Sequence, residues 1–453
     1  MLILLILKLN NAISQLAAEA YLACTTWSGP DLARAETLRS RNVDIAVLGL
    51  AAALPWSTSA TSILGIVILF LFWPTIRSER LFAVVSQPAA ALPIALLALA
   101  AIGTAWATAV PWLERLGALD KTMKLLLLPV LLLHFQQSRS AIWTFVAFVG
   151  SNLILLGYSF LTCVVPSLAV VEKVGYAGVP VRNYIDQSQG FAFVAIALAG
   201  LAFEAASRQR RYFAAGFGAA AGLFFANLAF VNVARTAFFY IPVMLVLVMV
   251  RYLSRRELIA GLIGVAIICG GLWQISPNLH RKASTIFTEL AVQRDAPIGV
   301  NEPSAAMRLE FWRKSLRFFE IAPLIGHGTG AIRDLFQQDA IGQTGVSAVV
   351  VSNPHNQTLA AGIQWGSAGI IILWAMWIAH LRLFCISTPV AWIGMLATVQ
   401  NIASSIFNSH LMDTYESWLY VLAVGTAGGE VLRIQSGTDV RKTASSLGAT
   451  QLQ

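Results

Sequence analysis

Apolar residues run along this chain in blocks of about twenty, broken by short polar and basic stretches. A hydrocarbon layer about 30 Å thick needs about 20 such residues per helix. The blocks predict membrane spans near 43–57, 60–75, 89–108, 119–135, 141–165, 188–206, 212–231, 236–253, 257–275, 356–379, 387–407 and 414–432. The first is short and carries Pro55, which fits a tilted or partly re-entrant segment. Residues 1–24 open with MLILLIL, but Lys8, Asn10, Asn11, Gln15 and Glu19 interrupt the apolar character. They read as an interfacial helix or an untranslated extension, not as a span or a cleavable signal. No fixed-period repeat or sustained heptad is visible.

Composition agrees with this pattern. Of 453 residues, 57% are apolar and 12% are charged, whereas a soluble domain is about 25% charged. Too little polar surface exists to cover soluble domains, and the apolar excess rules out disorder. The four cysteines, Cys24, Cys163, Cys269 and Cys385, show no paired spacing of a disulfide, metal or redox motif. A net charge of +9 in such a chain points to loops facing anionic lipid rather than to nucleic acid. The predicted architecture is an all-α polytopic membrane protein of about twelve helices. Residues 1–42 form a cytoplasmic or interfacial segment, 43–275 nine spans, 276–355 one large helical loop, 356–432 three spans, and 433–453 a cytoplasmic tail.

The loops set the orientation. With the N-terminus inside, the inner loops hold Arg77, Arg80, Arg139, Arg208, Arg210, Arg211, Arg251, Arg255, Arg256 and Arg382. The short outer loops hold only Arg115, Lys173, Arg182 and Arg235. This satisfies the positive-inside rule in one topology and fails it in the inverse. Arg182 and Arg235, with Lys121 and Lys124 at the outer end of the fourth span, then run against the trend. Cations at that depth are costly, and the default reading is an anion site.

The long segment 276–355 faces outward in this topology. Within it, SAAMRLEFWRKSLRFFEIAP predicts a helix capped by Ser304, with Leu309, Trp312, Leu316 and Phe319 forming one apolar face and Arg308 near it. PLIGHGTG is a glycine-rich turn carrying His327, and 331–338 predicts a short helix. The segment closes with His355, just after Pro354, at the mouth of the tenth span.

These motifs, in this order, resemble the O-antigen ligase and polymerase superfamily of bacterial envelope glycosyltransferases. The resemblance covers most of the chain. It is carried by ARTAFFY with Arg235, by MRLEFWRKSLRFFEIAPLIGHGTG with Arg308, and by HNQTLAAGIQWGSAG with His355 and Asn356. Gln364 is a departure, since many relatives have an acidic residue there. The resemblance implies a GT-C-like helical membrane glycosyltransferase in the bacterial inner membrane, with its site at the periplasmic face and with neither cofactor nor metal. The donor would be a polysaccharide on undecaprenyl diphosphate and the acceptor a sugar hydroxyl of lipid A-core. Arg235, Arg308 and His355 match the two arginines and one histidine that the family uses.

Those residue types suit that chemistry. Breaking a sugar–diphosphate bond puts negative charge on the leaving phosphate, which arginine forks or a metal can stabilise. Arginine bonds phosphate oxygens bidentately and stays charged. Arg182, Lys121 and Lys124 could add to the field, although an Asp186 partner for the first and snorkelling for the lysines are the plain alternatives. His355 suits the base that takes the acceptor proton, a role worth about 10²–10⁴-fold. His327 reads equally as a turn-packing or an acceptor-contacting residue. No carboxylate pair of the kind a covalent glycosyl-enzyme needs is recognisable, which favours inversion. No D-x-D or H-x-x-x-H occurs, so no metal is predicted. A polymerase or a protein O-oligosaccharyltransferase would share the donor and differ in the acceptor. A transporter of lipid-linked sugar would instead place charges at mid-membrane.

Overall fold

The computed structural model describes residues 29–73, 78–170, 177–291 and 305–450. Among them every regular element is a helix. The first half holds α1 (Gly29–Ala53), α2 (Thr58–Phe72), α3 (Ser78–Val85), α4 (Pro88–Gly103), α5 (Trp112–Met123), α6 (Leu127–Phe135) and α7 (Ala141–Val164). The second holds α8 (Tyr184–Ser207), α9 (Arg211–Phe230), α10 (Ala237–Tyr252), α11 (Arg255–Ile275), α12 (Pro277–Ala291), α13 (Ala305–Ile321), α14 (Ala331–Asp339), α15 (Gln357–Leu383), α16 (Pro389–Ser404) and α17 (Thr414–Thr450).

Among the described residues, five helices are long and apolar enough to cross a bilayer: α7, α8, α9, α11 and α15. Shorter apolar helices are α2, α4 and α10. The block at 119–135 is not one straight rod. It is the end of α5, a single 3-10 turn at Lys124–Leu126, and α6. The reading of residues 1–24 and the Ser304 cap lie outside the described residues.

The protein is apolar both between its helices and on its surface. The core sits between helices, where Trp365, Trp377, Trp392 and Tyr415 are almost fully buried. Large apolar side chains such as Phe70, Ile154 and Ile267 point outward. α11 has no buried residue at all, so every one of its isoleucines needs an apolar surrounding that water does not supply. The tight helix pairs are α8 with α9, α6 with α17, α4 with α15, and α16 with α17.

One satellite core lies apart. Phe311 and Phe318 of α13 meet Phe336 of α14 edge-to-face at 5.8 and 5.3 Å, and Ile363 of α15 closes the cluster. Lys314, 2% exposed, reaches Asp339 at 2.7 Å and ties α13 to the end of α14. The face of α13 that packs is therefore Phe311, Lys314, Ser315 and Phe318. Leu309 and Leu316 lie about half exposed on the other side. The apolar face that periodicity marks, with Leu309, Trp312, Leu316 and Phe319, is thus not the one that meets α14.

A stitch joins the chain after α13 to α15. Gly366 breaks α15 with φ 62° and ψ −153°. The break turns the N–H groups of Ser367 and Ala368 away from their helical partners, onto the carbonyls of Pro323 and Leu324. The Ile363 and Gln364 carbonyls, left without those donors, accept from His327 N at 2.9 Å and Gly328 N at 2.8 Å. A side chain at Gly366 would meet the Leu324 backbone at 2.4 Å, and one at Gly326 the Gln364 backbone at 2.5 Å.

Candidate functional site

Three connections supply the site: the turn between α9 and α10, the turn before α15, and the turn between α16 and α17. Arg235 sits on the first. That turn is fixed because Ser188 of α8 accepts the Ala234 N–H at 2.9 Å. Arg308 projects from the first turns of α13. The two arginines line a common groove of about 310 Å³ with Phe239, Leu309, Trp312 and Phe407. Phe407 meets Phe239 edge-to-face at 5.1 Å and Trp312 at 5.9 Å, so the wall is continuous aromatic surface. The same two arginines also line a much smaller polar cavity with Tyr184, Asn408 and His410. Both guanidinium groups thus stand where an apolar groove gives way to a polar floor.

His355 lies beside Arg308 but is absent from the lining of both cavities. Its ring stacks on Phe311 at 6.3 Å, and its carbonyl accepts from Trp312 Nε1 at 3.2 Å. Its Nδ1 is buried with no hydrogen-bond partner among the described residues. Burial, and then the positive charge of Arg308, push the imidazole down to about 4, against a partial pull upward from Asp413. At neutral pH it is therefore uncharged, with a lone pair available.

The polar floor comes from residues 405–416, which the sequence reading did not single out as a site. His410 is fully buried. Its Nδ1 lies 3.2 Å from Asp413 and 3.6 Å from Glu416. Burial opposes its charged form, but the Glu416 and Asp413 carboxylates overcome that and raise it to about 10. The three residues bring ligand atoms within 4.8 Å of one another, the arrangement among the described residues that could hold a metal ion. The His410 imidazolium gives both carboxylates a positive partner, and Lys124 faces the same two charges. The chain has no adjacent acidic motif. The fold nonetheless gathers Asp413 and Glu416 around one histidine at helical spacing.

The remaining candidates separate. Lys124 joins the site, its Nζ donating to the Asp413 carbonyl at 2.7 Å. Lys121 is exposed on α5. Arg182 lies in a different small cavity, with Asp186 and Tyr415. There it donates from Nε to Asp186 at 2.7 Å, from Nη1 to the Leu54 carbonyl at 3.4 Å, and stands over the Tyr415 ring at 5.2 Å. His327 turns inward, and its Nε2 lies 2.8 Å from the Phe318 carbonyl. Asn356 caps α15, accepting from Leu359 N and donating to the Ile406 carbonyl. Gln364 accepts the Gly330 N–H at 2.8 Å. An acidic side chain could accept that bond but could not make the second one, from Gln364 Nε2 to the Ala360 carbonyl at 3.3 Å.

Residues 220–374 match the family model described as O-antigen ligase. That stretch contains Arg235, Arg308, the glycine turn and His355, and stops short of the Asn408–Glu416 floor. No curated protein matches the chain.

Proposed function

The chain belongs to the O-antigen ligase and polymerase superfamily, and on that premise we propose that it moves O-antigen polysaccharide from undecaprenyl diphosphate to a sugar hydroxyl of lipid A-core. It does so at the periplasmic face of the inner membrane, in a GT-C-like body of twelve spans with both termini inside. The observation that carries this reading is the place of Arg235 and Arg308, at the junction of the aromatic groove and the polar cavity. A lipid diphosphate has the same two-part character. Its prenyl chain suits Phe239, Leu309, Trp312 and Phe407, and its phosphates suit two guanidinium forks in a partly dry setting.

In the reaction, the acceptor oxygen attacks the anomeric carbon from the face opposite the diphosphate. The new C–O bond forms as the bond to phosphate breaks. The electron pair leaves with undecaprenyl diphosphate, where Arg235 and Arg308 neutralise the growing charge. His355 accepts the hydroxyl proton. Arg308 links the two events. While the cavity is empty its charge holds the imidazole's basicity down, and an anion between the arginines offsets that charge. The base therefore strengthens when the donor is bound.

The test is transfer in a lipid bilayer. Purified chain in nanodiscs is given undecaprenyl-diphosphate-linked O-antigen and lipid A-core, without added metal, and products are separated by length. Core carrying long polymer supports a ligase. Elongation of the lipid-linked polymer, with core left bare, would assign a polymerase instead. Movement of lipid-linked sugar between leaflets without any new glycosidic bond would overturn the reading.

A further inference from the structure

His355 has φ 54°, a left-handed state that a residue other than glycine keeps only when its surroundings hold it there. Two hydrogen bonds grip its backbone. Asn353 Oδ1 accepts its N–H at 2.8 Å, and Trp312 Nε1 donates to its carbonyl. The grip continues outward. Asn353 Nδ2 donates to Asn408 Oδ1 at 2.8 Å, and Asn408 Nδ2 donates to Asp413 Oδ2 at 2.8 Å. Asn408 also interacts with the imidazole itself and lines the cavity shared by the two arginines.

We propose that Asn408 is a positioning residue for His355: by bridging Asn353 and Asp413 it fixes the backbone from which the imidazole is held beside Arg308. The chemistry of the amide explains why this residue type stands here. Asn353 presents a donor and Asp413 a carboxylate acceptor, so the bridge must accept on one side and donate on the other. A single planar amide does both. An aspartate would lack the donor and would set a second negative charge against Asp413. An alanine would offer neither bond. The charged and titratable groups that face the imidazole are Arg308 from α13, and Asp413 and His410 from the connection between α16 and α17. Asn408 lies on that same connection, so its amide couples the α16–α17 turn to the turn before α15.

The kinetic arm of the test rests on the glycosyl-transfer reading, and a chemical arm does not. The full chain in nanodiscs is treated with diethyl pyrocarbonate, and carbethoxylation of His355 is followed by peptide mass spectrometry, with His327 as the internal reference. In Asn408→Ala the expected result is a several-fold change in the His355 rate, with the His327 rate unchanged. In the transfer assay the same variant should lose at least about tenfold in kcat with little change in donor KM. In a His355→Ala background it should cost nothing further, because the two residues act as one unit. Asn408→Asp should fail to rescue. Unchanged His355 reactivity together with unchanged kcat overturns the proposal, as does an additive loss in the His355→Ala background. If the wild-type chain transfers no sugar while the His355 rate still responds to Asn408→Ala, the positioning role stands and the glycosyl-transfer reading fails.

Discussion

The indole Nε1 of Trp312 donates to the backbone carbonyl of His355 at 3.2 Å, while the same ring forms part of the groove wall beside Arg308. One side chain therefore measures the distance between the helix that carries an arginine and the turn that carries the histidine. Trp312→Phe keeps the wall and removes the bond. A net hydrogen bond is worth about 0.5–1.5 kcal/mol, so kcat should fall about three- to tenfold with the donor KM nearly intact. Trp312→Ala removes both and should raise KM as well. Steady-state kinetics on the two variants separate the effects.

Acid should switch the enzyme off late. His355 sits near 4 because burial, and then Arg308, disfavour its charged form. Above that value it is neutral and competent as a base; below it, the proton it must accept is already there. The acid limb of kcat/KM should have its midpoint near pH 4. Arg308→Gln removes a positive neighbour, so the midpoint should rise toward the ordinary 6.5. A pH–rate profile of the residual activity measures the shift. A midpoint that stays put after Arg308→Gln would remove Arg308 as the neighbour that tunes His355.

Charge alone should not replace the forks. Arg235→Lys and Arg308→Lys keep the sign but lose bidentate geometry. Each should lower kcat well beyond tenfold, and each alanine variant by about 10²–10³-fold, as when one donor to a developing oxyanion is removed. Inorganic pyrophosphate binding, followed by calorimetry in detergent, should weaken in step. Arg182→Gln should leave pyrophosphate binding unchanged, since its guanidinium is already held by Asp186, Leu54 and Tyr415.

The stitch at α15 should be intolerant of a side chain. Gly366 has a backbone conformation essentially restricted to glycine, which costs another residue about 1–3 kcal/mol before any contact. A Cβ there would also strike the Leu324 carbonyl carbon at 2.4 Å. Gly366→Ala should lower the melting temperature of the purified protein. A control at Gly150, where an added Cβ meets nothing within 4 Å, should leave it unchanged.

Much of the helical plan was legible because apolar blocks of membrane length have few other readings. Arg235 stood out for a different reason: a cation at the end of an apolar block is expensive and so conspicuous. The apolar face of α13 was legible, but not what each side of the helix meets: Leu309 and Trp312 line the groove, while Phe311 and Phe318 pack on Phe336. The floor was hidden for another reason. His410, Asp413 and Glu416 follow a spacing that any amphipathic helix start would show. Their meaning comes from meeting Arg308 and His355 across long stretches of chain, which no local pattern encodes. Gln364 is the reverse case: the sequence marked it as an oddity, and its amide oxygen proves to take one backbone N–H of a glycine turn.

The crossed hydrogen bonds around Gly366 have a mechanical consequence. Each of the two segments borrows backbone partners from the other, so neither can swing without breaking four hydrogen bonds. Arg308 and His355 are carried by the chain on either side of this knot. The knot therefore holds the chain that follows α13 against α15 by backbone hydrogen bonds, a join that no side-chain substitution outside its glycines can untie directly.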